Sequence, residues 1–409
     1  MNETTFFDVE IVEFAEKIFT IYRLCDSCLG RLFAQVEKGM LNKKRGSFLR
    51  KKLNKKSVFP RNCWLCEGLT EEVNEFAAVA EEKLRGYEFS TFLVGSKIDE
   101  EICEREQKLQ ETFHLLDAEP IKVEINREVG KILSRKTGKQ VSFDHPDIII
   151  VVDTRFNHVE LQISSLFIYG RYMKKMRGIP QTRWPCRVCT GKGCRRCGFT
   201  GKTYETSVEE LIAAKVLEAT RGEDEAFHGC GREDIDALML GDGRPFVLEI
   251  KNPRVRSLDL RMLEKKINEY AAGKVVVKNL GFTDKDEVKR IKNASFPKVY
   301  HVKVVAENDI PEEKLNEVVD SLQGKIIQQL TPLRVAHRRS LKTREKKIHH
   351  CRILALDGKN VTLEIRAESG TYIKELVSGD SGRTQPNISE MLGIPCEVKE
   401  LDVVAVEGE

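Results

Sequence analysis

The chain has 409 residues, with 68 Lys+Arg against 64 Asp+Glu, a formal net charge of +4, 41% hydrophobic and 32% charged residues. That is enough apolar matter for a core and enough charge for a soluble protein, and no apolar run is long enough to cross a bilayer. Twelve cysteines in a chain of this size exclude a small disulfide scaffold and point to metal binding or catalysis.

In chain order, Met1 to Asp8 lacks a basic stretch followed by an apolar one, so no signal peptide is expected and the expected location is the cytoplasm. Cys25-x2-Cys28 and Cys63-x2-Cys66 flank a basic run, Lys38 to Arg61, with ten Lys/Arg and no acid. Asp147–Asp153 reads as a strand buried on both faces and Val159–Ile163 as an alternating strand, with a turn at Phe156-Asn157. Leu161 to Tyr204 again holds ten Lys/Arg and no acid, and encloses Cys186-x2-Cys189 and Cys194-x2-Cys197. A domain border is expected near Gly201–Ser207. Ser207 opens a helix with Glu210 completing a capping box.

Beyond the acidic stretch Gly231 to Asp236 the pattern alternates. Strands are expected at Phe246–Ile250, Val275–Leu280, Lys298–Val305, Ile326–Leu330, His350–Ala355 and Val361–Ala367, and helices at Leu258–Ala272 and Glu312–Leu322. Asp357-Gly358-Lys359-Asn360 signals a hairpin. The fold class expected is α+β, a mixed or antiparallel sheet with helices packed on it. A third basic segment, Arg334 to Arg352, has Glu345 as its only acid. Three such clusters on a near-neutral chain read as a polyanion footprint.

Each CxxC pair can reach one ion, and two pairs make an all-sulfur tetrahedral site. The eight cysteines are therefore candidate ligands of one or two structural zinc ions, with buried free thiols as the alternative. Cys103, Cys230, Cys351 and Cys396 read as ordinary buried thiols. Gly201-Lys202-Thr203 is not a P-loop, because Arg196 stands where its first glycine belongs and no strand leads in. No dinucleotide loop, HExxH or deaminase pattern is present. The acidic stretch has two readings: a solvated turn, or a carboxylate held at a loop tip by an arginine.

Gly231-Arg232-Glu233-Asp234 resembles the Gly-Arg-x-Asp turn of pseudouridine synthases. Lys298-Val299-Tyr300 resembles their K-x-Y strand, and Ser369-Gly-Thr-Tyr-Ile-Lys374 their G-T-Y-I-[K/R] motif. Thr331-Pro-Leu-Arg-Val335, Gly379 to Asn387, Gly170-Arg171-Tyr172 and Pro180 to Trp184 extend the resemblance to the Pus-ten family of tRNA pseudouridine synthases, archaeal type, over nearly the whole chain. One departure is Leu238, where the family usually has arginine. The second cysteine quartet is not universal in the family either.

The resemblance implies three regions: a zinc-binding segment at 1–75, a THUMP-like RNA-binding region with the second cysteine cluster at 76–204, and a catalytic domain at 205–409. It implies an isomerase that needs no catalytic cofactor. Asp234 would be the nucleophile, Lys374 its counter-ion with Arg232 as second choice, and Tyr300 the ring that stacks on the base and assists loss of the C5 proton. Asp236 competes with Asp234 for the first role, and Asp242 reads as a turn residue. Arg232, Tyr372, Arg171, Arg183 and Arg334 are the candidates for RNA contact. The implied partner is the tRNA T arm, at uridines fifty-four and fifty-five. No membrane association is expected, and a monomer is. A non-catalytic zinc- and THUMP-containing tRNA-binding protein is the alternative.

Overall fold

The computed structural model describes residues 8–408; the leader expectation concerns residues mostly outside that range. The chain divides into two compact units, one ending at Ser164 and one beginning at Ser165.

The first unit comprises α1 (Val9–Ile21), α2 (Asp26–Leu32), α3 (Asn42–Lys52), α4 (Val73–Leu84), β1 (Thr91–Lys97), α5 (Glu100–Thr112), α6 (Ile121–Thr137), β2 (Gln140–Val141), β3 (Ile148–Asp153) and β4 (His158–Ile163). Its sheet runs β2-β1-β3-β4, with β1 parallel to both β2 and β3, and β3 antiparallel to β4. Strand β3 alternates buried Ile148, Ile150 and Val152 with half-buried neighbours, so only one face is fully covered, not both. Helix α6 buries Ile121, Ile125, Val129 and Leu133, one per turn, as an amphipathic helix on a sheet must. These side chains share one core with Cys25, Cys28, Cys63 and Cys66. The first quartet therefore sits inside the same hydrophobic unit as the sheet.

The second unit holds β5 (Leu166–Lys174), α7 (Val208–Thr220), β6 (Asp224–Gly229), β7 (Leu238–Lys251), α8 (Leu260–Ala271), β8 (Val275–Thr283), α9 (Lys285–Asn293), β9 (Lys298–Ala306), α10 (Glu312–Leu322), β10 (Ile326–Leu330), β11 (Thr343–Asp357), β12 (Asn360–Ala367), α11 (Ile373–Ser378), β13 (Thr384–Gln385), α12 (Ile388–Leu392) and β14 (Cys396–Val406). Its ten-stranded sheet runs β13-β10-β11-β12-β9-β14-β7-β5-β8, with β6 also paired to β7. The pairing is antiparallel except for β14 on β7. This is the mixed-sheet α+β class expected.

Among the elements that differ from expectation, three differences have a local cause. Strand β5 carries Arg171 and Lys174, which reads as part of a basic segment, but both side chains are buried at 9% and 0% exposure. The strand pairs with β7 and β8, so residues 165–204 join the second unit and the border lies at 164/165, not near 201–207. Strand β7 begins eight residues earlier than its apolar run. Between Met239 and Arg244 its partner β5 moves only from Lys174 to Tyr172, so 240–243 bulge out, with Gly241 and Gly243 at positive φ. Asp242, expected in a turn, lies in this bulge within the strand and pairs with Lys278 at 2.8 Å. Helix α9 is short and charged and buries only Val288 and Ile291, so few apolar positions announce it.

Strand β9 is flanked by β12 and β14, and it alternates. Lys298 and Tyr300 lie on the same buried face as Val302, Val304 and Ala306, so the K-x-Y pair extends the core row to the mouth of a cleft. At α7, Ser207 Oγ accepts from Glu210 N–H (3.2 Å), so the expected cap forms; the Glu210 carboxylate takes the Ser207 hydroxyl (2.9 Å) instead of the Ser207 backbone N–H, so the capping box expected is only half made.

Candidate active site

The acidic stretch links β6 to β7 and is fixed from below. Gly231 adopts φ +73, a left-handed conformation that favours glycine. Glu233, the variable position of Gly-Arg-x-Asp, turns inward and is buried. Its carboxylate accepts from Arg244 Nε at 2.9 Å and from Tyr172 Oη at 2.8 and 3.0 Å. Arg244 also donates to the Cys230 carbonyl at 2.8 Å. Lys174 Nζ donates to the carbonyls of Asp234 and Ile235 at 3.1 Å each, and to that of Ile179 at 2.9 Å. Gln181 Nε2 donates to the Gly231 carbonyl at 3.0 Å. Burial of Lys174 pulls its pKa down, opposed first by the Glu233 charge. Desolvated cations of this kind are tolerated only when paired and hydrogen-bonded. Here they bind loop carbonyls and one carboxylate, which rigidifies the turn.

With Glu233 pointing in, Asp234 points out. Its carboxylate lies 3.0 Å from Arg334 Nη1 and 3.5 Å from Lys374 Nζ. Lys374 is closer to Asp236, at 2.6 Å. The ordering corrects one expectation: Arg334, proposed as an RNA contact, is the nearer cation to Asp234, and Lys374 bridges both acids. Arg334 is itself held by Nε to Glu375 at 2.6 Å. Burial works against its charge, but the bond to Glu375 and the charge of Asp234 together keep its pKa above the usual guanidinium value. For Asp236, burial works against the carboxylate, yet the Lys374 bond outweighs it and holds the pKa low. Arg232 is exposed at the rim of the same cleft.

Tyr300 is 7% exposed and lines this cleft. Burial pushes its pKa up to about 12, with Arg244 pulling down and Asp234 pushing up. It is a neutral phenol across the physiological range. Tyr372 also lines the cleft; its backbone N–H and C=O are both clamped by buried Gln329 at 2.9 Å, and its hydroxyl accepts from Arg339 at 3.4 Å. Lys298 donates to Ser369 Oγ at 3.0 Å, tying β9 to the turn that carries Tyr372 and Lys374. The cleft measures about 440 Å³, a size that accepts a nucleoside. A second cavity of about 320 Å³ shares Asp234, Arg334 and Lys374 and reaches Trp184.

Two expected RNA contacts are not in the cleft. Arg171 is a buried strap: Nε donates to the Asp242 carbonyl and Nη2 to that of Gly243, both at 2.9 Å. Arg171→Ala leaves these carbonyls unpaired, so it is expected to cost about 2–4 kcal/mol in urea unfolding with tRNA affinity unchanged in filter binding. Arg183 is exposed, but its backbone N–H bonds Glu209 at 2.7 Å and it lines neither cavity. Part of the first basic run is structural too: Arg45 is buried against loop carbonyls, and Arg50 pairs with Asp26 at 2.7 Å. Cys103 is exposed, contrary to the expected buried thiol, because it sits on the solvent side of α5; Cys230, Cys351 and Cys396 are buried.

A family model for the Pus10 C-terminal region matches residues 167–407, and one for the archaeal Pus10 THUMP domain matches residues 76–153. The chain is 41% identical to "tRNA pseudouridine synthase Pus10" of Methanothrix thermoacetophila, over 98% of this chain and 95% of that one. It is 42% identical to the protein of that name from Halorubrum lacusprofundi (98% and 97%) and 44% identical to that from Methanothermobacter marburgensis (94% and 95%). The chain belongs to the Pus10 family. A solved Cbf5-Nop10-Gar1 complex is a remote neighbour, 17% identical with a TM-score of 0.34 over 58% of this chain and 48% of that one, too distant to bear on the fold.

In this Pus10 family member Leu238 opens β7, with its N–H 3.4 Å from Asp402 Oδ1. The cation beside Asp402 is Arg177, at 2.6 Å, which also donates to the Asp236 carbonyl at 2.8 Å. A guanidinium thus reaches this loop from another segment.

Both cysteine quartets converge, each with its four sulfurs within 4.8 Å of one another. Cys25 and Cys66 Sγ are 3.8 Å apart, Cys186 and Cys194 4.0 Å, and Cys189 and Cys197 3.9 Å. Tetrahedral bonds of ~2.3 Å set sulfurs about 3.8 Å apart, so the donor sets fit one such ion each. The second quartet also carries backbone N–H bonds to sulfur, Gly193 to Cys189 and both Cys194 and Gly201 to Cys197, each at 3.2 Å. Such donors favour thiolate, and the bond from Cys194 leads in lowering the Cys197 pKa to about 6.

Residues missed by sequence reasoning are Glu233, Arg244, Lys174, Tyr172 and Gln181 beneath the loop, and Glu375 behind Arg334. Lys174 and Tyr172 share one strand face, a period-two signal that became visible only once β5 was recognised.

Proposed function

We propose that this chain is a tRNA pseudouridine synthase that acts as a monomer in the cytoplasm on the T arm, at uridines fifty-four and fifty-five, with Asp234 as the nucleophile. The isomerase activity follows from membership of the Pus10 family. The observation carrying the residue assignment is the outward Asp234 carboxylate between two cations in a cleft of nucleoside size.

The reaction breaks the N1–C1′ bond of uridine and forms a C5–C1′ bond; C5 loses a proton and N1 gains one. It needs an ionised carboxylate beside the sugar and base. Arg334 and Lys374 hold the Asp234 carboxylate at 3.0 and 3.5 Å, and the inward pull on Glu233 fixes its direction. Tyr300 closes one wall of the cleft, where its ring suits stacking on the extruded base and assisting loss of the C5 proton. Extruding the uridine costs a few kcal/mol, offset by phosphate contacts of the basic segments. Arg232 and Tyr372 serve as RNA contacts at the rim. Both cysteine quartets hold zinc in a structural role, since four protein sulfurs leave no open coordination position.

Arg334→Gln removes the nearer cation and strands buried Glu375. It is expected to lower the single-turnover rate by about 10- to 100-fold, the worth of one charge-assisted bond, with tRNA affinity less affected. Mapping pseudouridine by carbodiimide primer extension on tRNA treated with the pure protein tests the whole reading. Tight binding without any product would favour the non-catalytic tRNA-binding protein instead, and product elsewhere would move the target.

A further inference from the structure

The second cysteine quartet builds a small exposed module whose outer surface no part of the catalytic argument uses. Pro185 bridges to Lys202, and Cys186 N–H donates to the Gly201 carbonyl at 2.7 Å, so the module closes on itself like a clasp. Four of its cations, Arg187, Lys192, Arg195 and Arg196, are exposed and form no ion pair with a described residue; Lys202, at its base, does pair, with Glu210 at 2.7 Å. No acid lies between Leu161 and Tyr204 to offset them.

Phe199 lies among these cations and is 72% exposed; Val188 is 58% exposed. Phe199 adopts φ +62, a left-handed backbone that a bulky residue seldom takes. It is held there by its N–H on the Cys194 carbonyl at 2.9 Å, and by Gly193, where a Cβ would come within 2.8 Å of the Phe199 carbonyl oxygen. The ring makes no aromatic contact with a described residue. A phenyl group fixed in a costly backbone state, largely exposed, on a module that carries four exposed cations without an ion pair, is not explained by stability.

The module rises from the wall of the active cleft. Trp184, the residue before the Pro185 bridge, lines the cavity that also contains Asp236, Arg334 and Lys374. An exposed ring interleaved with guanidiniums matches a single-stranded nucleotide, which offers a π-face for stacking and phosphates for the cations. An acidic protein surface would use the charge but not the ring.

We infer that the Cys186–Cys197 knuckle is a nucleotide-binding site of its own, which stacks an unpaired tRNA base on Phe199 and takes the flanking phosphates on Arg195 and Arg196. The site rests on the tRNA reading of the function only for the identity of its RNA.

The test is tRNA affinity by filter binding as a function of salt, with full-length Phe199→Ala, Phe199→Tyr and Arg195→Ala/Arg196→Ala proteins. Metal content equal to the native protein's shows that the knuckle is intact. Phe199→Ala is expected to weaken binding by about 5-fold or more and to raise KM, with the single-turnover rate at saturation unchanged. Phe199→Tyr restores affinity. The double arginine variant flattens the salt dependence by about one to two charges. Native affinity in Phe199→Ala overturns the stacking site, and unchanged affinity and salt slope in all variants overturns RNA binding here altogether. If the native protein binds tRNA but makes no pseudouridine, the proposed function fails while these binding comparisons still decide the knuckle.

Discussion

Replacing Asp234 by alanine is expected to abolish tritium release from tRNA carrying C5-labelled uridine, a loss on the order of 10⁴-fold or more, or about 5 kcal/mol in the barrier. The magnitude follows from its position. Asp234 is the carboxylate of the loop that faces the cleft with two cations on it, whereas Glu233 is buried on Arg244 and Tyr172. Removing the charge leaves Arg334 and Lys374 without their shared anion beside an RNA phosphate chain. The variant should therefore bind tRNA at least as well as the native protein, most visibly at low salt. Asp236→Ala is the matched control. It also frees Lys374, but that lysine is then available wholly to Asp234, 3.5 Å away, so the rate should stay within about tenfold. Equal losses in both variants would mean that the loop works as a charged turn and that neither acid attacks.

The three motifs could be read because each pairs an unusual residue type with a short, fixed spacing, and all three reach one cleft: Asp234 from the β6–β7 loop, Tyr300 from β9 and Lys374 from the start of α11. The order of the cations around Asp234 could not be read. It depends on Glu375, which holds Arg334 from behind, and on the turn at Leu333–Arg338, which brings position 334 within 3.0 Å of a residue a hundred positions earlier. The burial of Arg171 on loop carbonyls could not be read for the opposite reason. A basic run has the same composition whether its members face solvent or carbonyls, and only the pairing of β5 between β7 and β8 distinguishes the two. Lys174 and Arg244 were hidden in the same way, as isolated charges in apolar strands whose partners are backbone groups of a distant loop. The sulfur clusters were the easiest part, because four CxxC pairs leave few other arrangements.

The two quartets should respond very differently to loss of a ligand. Cys25, Cys28, Cys63 and Cys66 lie in the core of the first unit with Leu24, Leu29, Leu65 and Phe76. Arg31, fully buried, donates to Cys28 Sγ at 3.8 Å and also binds Glu106, with Glu124 3.9 Å away. Four thiolates on one divalent ion carry a net double negative charge, which Arg31 offsets in part and relays to α5 and α6. Cys63→Ser should therefore remove metal worth on the order of 10 kcal/mol to folding and take from Arg31 the anionic cluster it faces, leaving only Glu106 and Glu124 beside it. The expected result is cooperative loss of the first unit: residues 8–164 become protease-sensitive and lose near-UV dichroism. In the second quartet only Cys186 is buried, and the module packs on little besides itself. Cys189→Ser should unfold the knuckle alone, leaving the ten-stranded sheet with its native urea midpoint and the first unit intact. A chelator should strip the second site first, because its sulfurs are closer to solvent. Native metal content is expected to be two zinc ions per chain by mass spectrometry. A Cys63→Ser protein that keeps its first unit folded would remove the metal from that core.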